Sequence, residues 1–221
     1  MKERPALFNG QMVRSLLGDI KTHTRRIAKL TSAGHVKEVG GNRRWHPADP
    51  NAVLACPYGQ PGDRLWVRET WRTDKGYDNC APRTIDSGAS LFMLADQYSH
   101  RINHRSECGP MEWGKTRVSI HMPRWASRIT LEIVSVRLER LQDISEADAI
   151  AEGLYRFEYG GQVSWRDYSL SDEWAAVSPM LESPIDSYRS LWESINSPGS
   201  WAANPLVWVI EFKRVEPGAN K

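Results

Sequence analysis

The run Leu206–Val215 (LVWVIEFKRV) limits the fold more than any other stretch. Its first five residues are all apolar, in both phases of the alternation. Such a strand belongs inside a sheet with both of its surfaces covered. A second long strand lies at residues 128–141 (RITLEIVSVRLERL), where Ile129, Leu131 and Ile133 hold one phase and Val134, Val136 and Leu138 the other. That change of phase predicts a bulge near Ile133 and a bend of the kind that turns a corner in a small barrel. Residues 64–71 (RLWVRETW) are a third strand by their β-branched and aromatic content, entered through the turn residues Pro61, Gly62 and Asp63.

Helical signals are few. In residues 7–26 (LFNGQMVRSLLGDIKTHTRR) a short strand leads to Asn9 as N-cap, then to one or two turns with Met12, Val13, Leu16 and Leu17 on one face, and to Gly18 as a left-handed stop. Ser145 caps a second short helix that stops at Gly153, with Ala147, Ile150, Ala151 and Leu154 as its apolar stripe and Glu152 off that stripe. A third helix spans 185–195 and buries Ile185, Tyr188, Leu191, Trp192 and Ile195. This order predicts an α+β fold: a small mixed β-barrel with flanking short helices. The 221 residues read as one domain (1–221) with long inserted loops at about 31–60, 72–116 and 155–183. The second insertion holds a short strand at 91–95, and the third looks like a cover for a site.

With 29 basic and 27 acidic residues the net charge is only +2, so any nucleic-acid contact must be local. Ten tryptophans suit stacking on bases, or packing against the sheet. Cys56, Cys80 and Cys108 are odd in number and lack CxxC spacing, which argues against a disulfide framework and for a reducing, cytoplasmic setting. No signal peptide or membrane-spanning run is read, and nothing sets an oligomeric state. Cys80, His100, His104 and Cys108 could supply four zinc ligands, but none of the spacings is that of a finger or knuckle; no metal and no cofactor is expected.

Three places carry candidate chemistry. After Gly18, alternation puts Lys21, His23 and Arg25 on one face and Thr22, Thr24 and Arg26 on the other. This is either a turn delivering amine, hydroxyls and guanidinium to a reactive site, or a solvated basic edge. Glu69 shares a face with Leu65, Val67 and Trp71, and a buried carboxylate there is either paired with an arginine or catalytic. Glu152 sits in a last helical turn, where the dipole disfavours an anion; it is either exposed and idle or held there for use.

Four segments, FNGQMVRSLLGDIKTHTRR (8–26), PGDRLWVRETW (61–71), HMPRWASRITLEIVSVRLERLQDISEADAIAEGL (121–154) and NPLVWVIEFKRV (204–215), resemble the ASCH domain proteins of the PUA-like superfamily, in the larger version found in phages and prophages. The resemblance implies a PUA-like β-barrel with a pocket, used in the wider superfamily to bind RNA or modified bases. A smaller bacterial branch is similar in its KTxT run and terminal VIEFK strand, and hydrolyses the amide of N4-acetylcytidine. Its working lysine, threonine and helix-end glutamate fall here on Lys21, Thr24 and Glu152, the implied catalytic residues. Arg26 is expected to hold an oxyanion or a phosphate. Glu69, Thr22 and Trp71 are expected to contact substrate, with Glu69 positioning the base or pairing Arg26. The expected partner is a modified nucleoside or nucleotide, with RNA as an extension and no membrane. A rival reading is a non-catalytic RNA- or nucleotide-binding module in which the same Lys, Arg and Trp residues bind phosphate and stack on a base. Three further expectations follow. Lys21 and Thr24, at a polar turn, contribute little to stability. Phosphates are neutralised by Lys21, Arg25 and Arg26. Glu152 reaches the turn from outside, without full desolvation.

Overall fold

The computed structural model describes residues 1–38, 41–95, 112–170 and 180–215. β1 (Glu3–Leu7) runs into Asn9, whose side chain accepts the Met12 N–H at 2.8 Å and starts α1 (Gly10–Leu17). Val13 and Leu16 form the buried face of α1. The left-handed residue that ends the turn is Asp19 (φ 55°) rather than Gly18 (φ −85°). β2 (His23–Ile27) follows, then β3 (Val36–Lys37) and β4 (Arg44–Trp45) as a small hairpin, and a 3-10 turn at Pro50–Ala55. Beyond these come β5 (Arg64–Arg68), β6 (Trp71–Thr73), β7 (Leu91–Met93) and the long β8 (Thr130–Arg140). α2 (Glu146–Ala151), the hairpin β9 (Arg156–Tyr159) and β10 (Gln162–Trp165), α3 (Pro184–Asn196) and β11 (Leu206–Val215) complete the order.

The main sheet has the order β1-β5-β8-β11-β2, with β1 parallel to β5 and the other pairings antiparallel. β11 lies between β8 and β2, as its two apolar phases require. Trp208, Ile210 and Phe212 enter a core with α1, Leu65, Leu131 and Ile133, while Val207 and Val209 enter a second core with Ala149, Leu154, Tyr188 and Trp192. The ladder between β8 and β11 slips where Glu211 faces Ser135 and Phe212 faces Ile133. Val134 is left over at the slip, which is the bulge expected there.

The fold is α+β with a mixed sheet, but the sheet is not a closed barrel. Closure needs the first strand to hydrogen-bond the last, and β1 and β2 stand at opposite ends of the order. A side chain spans that gap instead: Arg26 Nη2 donates to the Leu7 carbonyl at 2.6 Å, and the guanidinium lies 5.2 Å from the Phe8 ring centroid.

The inserted stretches carry more structure than loops. Val36, Ala52, Ala55 and Cys56 of the first are buried against the core beneath α1. In the third, Trp165 and Tyr168 pack into the second core, so its described part is a buttress for α3 rather than a cover. Among the described residues no helix is long and apolar enough to cross a membrane.

Candidate functional site

The site is built on the outer strand β2. The Thr22 carbonyl accepts the Phe212 N–H at 2.9 Å, and the Ala28 N–H donates to the Leu206 carbonyl at 2.9 Å. Backbone direction alternates along a strand, so even-numbered residues bond to β11. The N–H and C=O groups of Arg25 and Ile27 therefore point at the open edge.

Arg25 reaches the face covered by α2, where its side chain is fully buried. It donates to Glu139 Oε1 at 2.7 and 3.1 Å, to Asp148 Oδ2 at 2.7 Å and to Glu152 Oε1 at 3.2 Å. Arg137 also bonds Glu139 (3.0 Å) and Asp148. This corrects the expected stripe of α2: Ala147 and Ile150 are exposed, and the inward positions are Ala149, Glu152 and the half-buried Asp148. The stripe is acidic because the strand beneath it is basic. Two patterns carry that signal in the sequence: Asp148 and Glu152, four apart on one helix face, and Arg137 and Glu139, alternating on β8. Burial tends to raise the Asp148 pKa, but the Arg25 hydrogen bond and the charges of Arg137 and Arg25 outweigh it and hold it low. Burial works against the Arg25 charge, and Glu152, Tyr188 and Glu139 together more than restore it.

Lys21 lies on the other side of the Glu152 carboxylate, 2% exposed. Its Nζ donates to the Glu152 carbonyl at 2.7 Å and to Oε2 at 2.8 Å. Burial pushes the Lys21 pKa down, against the opposing pull of Glu152. The contact depends on Gly153, whose φ of 86° is left-handed; a Cβ there would lie 2.7 Å from Lys21 Cβ and 2.8 Å from Ser15 Cβ. Ser15 Oγ donates to the Gly153 carbonyl (2.8 Å), the Lys21 N–H to the Ser15 carbonyl (3.1 Å) and the Thr22 N–H to the Ala151 carbonyl (2.8 Å), clasping the end of α2 to the turn before β2. Glu152 is 3% exposed, so it meets Lys21 inside the protein, not from outside. Lys21 is correspondingly part of the packed interior, contrary to the expectation for a polar turn.

Along the open edge of β2 lies a cavity of about 200 Å³, lined among others by Thr24, Arg26, Glu152, Tyr58, Tyr188 and Trp192. Thr24 is 3% exposed, and its hydroxyl hydrogen-bonds no group among the described residues. Arg26 Nε is buried without a hydrogen-bond partner among the described residues. Burial, with the Glu152 charge second, pushes the Tyr188 phenol well up, so it stays neutral at the cavity wall.

The structure therefore brings Lys21, Glu152 and Arg25 into hydrogen-bond contact and sets Glu152, Thr24 and Arg26 around one cavity. It does not place Lys21 in that cavity: Lys21 and Thr22 line a separate cleft of about 270 Å³ with Leu16, Phe212 and Arg214. Glu69 is 1% exposed and takes two hydrogen bonds from Arg128, 2.9 Å to Oε1 and 3.0 Å to Oε2. Its partner is Arg128, not Arg26, whose guanidinium donates instead to the Leu7 carbonyl. Trp71 is fully buried in a third core with Met93 and Met122, under the Arg117 guanidinium, and lines no part of the cavity. Lys21 and Arg25 are buried and paired, so neither is available to neutralise phosphates. His100, His104 and Cys108 lie outside the described residues; Cys80 is a half-buried free thiol. Among the described residues no three His, Cys, Asp or Glu side chains are grouped to hold a metal ion.

No family model, curated protein or solved structure matches this chain.

Proposed function

We propose that the protein is an amidohydrolase of the ASCH, PUA-like type, removing the acyl group from an N4-acylated cytosine nucleoside or a related modified base in the cavity beside β2. The observation that carries this reading is the position of Glu152. One face of its carboxylate is held by buried Lys21 and Arg25, and the residue also lines a cavity where the Thr24 hydroxyl has no partner among the described residues. At about 200 Å³ the cavity exceeds the ~150 Å³ that encloses a benzene ring and falls below the ~300 Å³ of the smaller drug-sized pockets. That size suits a pyrimidine with a short acyl group, leaving the sugar outside. The outward N–H and C=O of Arg25 and Ile27 offer a donor and an acceptor to a base edge.

In this mechanism Thr24 Oγ1 attacks the acyl carbon while Glu152 takes the hydroxyl proton. The Lys21–Glu152 pair returns a proton to the N4 nitrogen as the carbon–nitrogen bond breaks, and water then hydrolyses the threonyl ester to free the acid. Desolvation of Lys21, which lowers its pKa, favours its release of a proton. Arg26 stands at the cavity wall to stabilise the oxyanion.

A second reading has its own observation: two of the Lys21 ammonium hydrogens are occupied by Glu152, as a structural pin would be, and the cavity then binds a base without acting on it. One assay separates the two. Purified protein is offered N4-acylated cytidines and deoxycytidines, and turnover and affinity are measured for Thr24→Val and Glu152→Gln. Hydrolysis reduced at least 100-fold in both variants, with affinity within a few-fold of wild type, is the enzyme outcome. Binding without hydrolysis by the wild type establishes the module, and hydrolysis surviving in Thr24→Val removes the threonine from the mechanism.

A further inference from the structure

We propose that the β3–β4 hairpin binds the phosphodiester backbone of a single-stranded nucleic acid whose base occupies the cavity beside β2; this rests on the base-binding reading of that cavity. Val36 and Trp45, opposite each other in the hairpin, pack on the core beneath α1, and alternation turns the next pair, Lys37 and Arg44, outward. Like charges directly opposite across two strands are destabilising, and here the two cations are exposed and make no ion pair among the described residues. Lys29 and Arg43 are exposed beside them and are equally unpaired there. Glu38, the one carboxylate in residues 26–44, lies against Gly41, where a Cβ would fall 2.3 Å from its oxygen. That segment carries five cations (Arg26, Lys29, Lys37, Arg43, Arg44) and one anion, a net +4 in a chain of net +2. The rest of the chain is therefore net −2; residues 113–131 are as basic, with four cations and no anion, but there Arg117 donates to the Tyr77 and Cys80 carbonyls, Arg124 to Glu3 and Arg128 to Glu69.

The hairpin is connected to the cavity through the end of β2 and through the 3-10 turn. Ile27 lines the cavity, Lys29 follows two residues later, and Leu30 pairs with Val36 at the base of the hairpin. Tyr58, also lining the cavity, comes three residues after the 3-10 turn against which β3 and β4 pack. With the base enclosed and its sugar outside, the neighbouring phosphates pass over Lys29, Lys37, Arg43 and Arg44. A base that enters the cavity is out of its stack, which selects a single strand over a duplex. RNA and DNA share the phosphate chemistry, and the test separates them.

Fluorescence anisotropy of the full-length protein, with short labelled RNA and DNA oligonucleotides titrated over a range of salt, measures affinity and its salt slope. In Lys37→Ala/Arg44→Ala the affinity for the preferred strand should fall about 25-fold at about 0.1 M salt, and the slope should flatten by about 1.4, the loss of two single-strand phosphate contacts. The thermal midpoint should hold or rise, because a like-charge pair is removed. Turnover of a free acylated nucleoside should be unchanged. Loss of oligonucleotide affinity together with an inert wild type towards every acylated nucleoside supports the hairpin and removes the amidohydrolase reading. Wild-type affinity and slope in the double variant, no binding of either oligonucleotide by the wild type, or equally tight binding of a duplex overturns the proposal.

Discussion

Two glutamates are buried in this protein to nearly the same degree, Glu152 at 3% and Glu69 at 1% exposure, and each meets a cation at hydrogen-bond distance. Their surroundings differ. Glu69 gives both oxygens to the fork of Arg128 and lines none of the cavities described above, whereas Glu152 divides its oxygens between Lys21 and Arg25 and lines one. Burial and pairing therefore do not single out a working carboxylate. What sets Glu152 apart is the cavity it lines together with Thr24, whose hydroxyl is unpartnered among the described residues.

The comparison breaks most directly at Lys21. Lys21→Ala leaves the buried Glu152 with only part of its compensation, and such losses cost about 3–5 kcal/mol. Chemical denaturation should show a fall of that order. A midpoint near wild type would mean that the pair is not desolvated in solution, and the Glu152 site would then resemble an ordinary surface ion pair.

Gly153→Ala comes next. It forces a Cβ against Lys21 and Ser15 at a left-handed φ, and should cost at least about 2 kcal/mol from the backbone alone. Because the clasp sets the Lys21–Glu152 contact, turnover should fall with stability. Unchanged turnover in a folded Gly153→Ala protein would separate the clasp from the site.

Glu69→Gln sharpens the contrast from the other side. It weakens one charge-assisted fork, at about 1–3 kcal/mol, and should leave both turnover and ligand affinity at wild-type values. If it mainly weakens affinity, Glu69 regains the substrate role that its place outside the cavity lining denies it.

The smallest effect concerns pH. His23, beside the Thr22 hydroxyl and 4.0 Å from Asp148, has its pKa lowered by burial, with Asp148 opposing. Between the lowered value and 6.5, the unfolded chain binds more protons than the folded one. Stability therefore rises with pH across that window and is lost on acidification from 6.5 downwards. His23→Gln should flatten this part of a stability–pH profile, and an unaltered slope would assign the dependence elsewhere.

Much of the framework was legible without coordinates. Asn9 as a cap, the two-faced Leu206–Val215 strand, the bulge near Ile133 and the third helix are all local statements, set by capping chemistry and by the periods of strand and helix. The site residues were legible only in part. Lys21, Thr24 and Glu152 were named from a resemblance, yet Lys21 and Glu152 stand 131 residues apart in the chain, and no periodicity links them. Tertiary structure alone decided that the inward face of α2 is acidic, that Glu69 belongs to Arg128, that Trp71 is core and that the sheet stays open with Arg26 across the gap. Each of these depends on which distant strand or helix lies opposite, and hence on sheet order and register. A carboxylate or an indole carries the same local preferences whichever partner it meets.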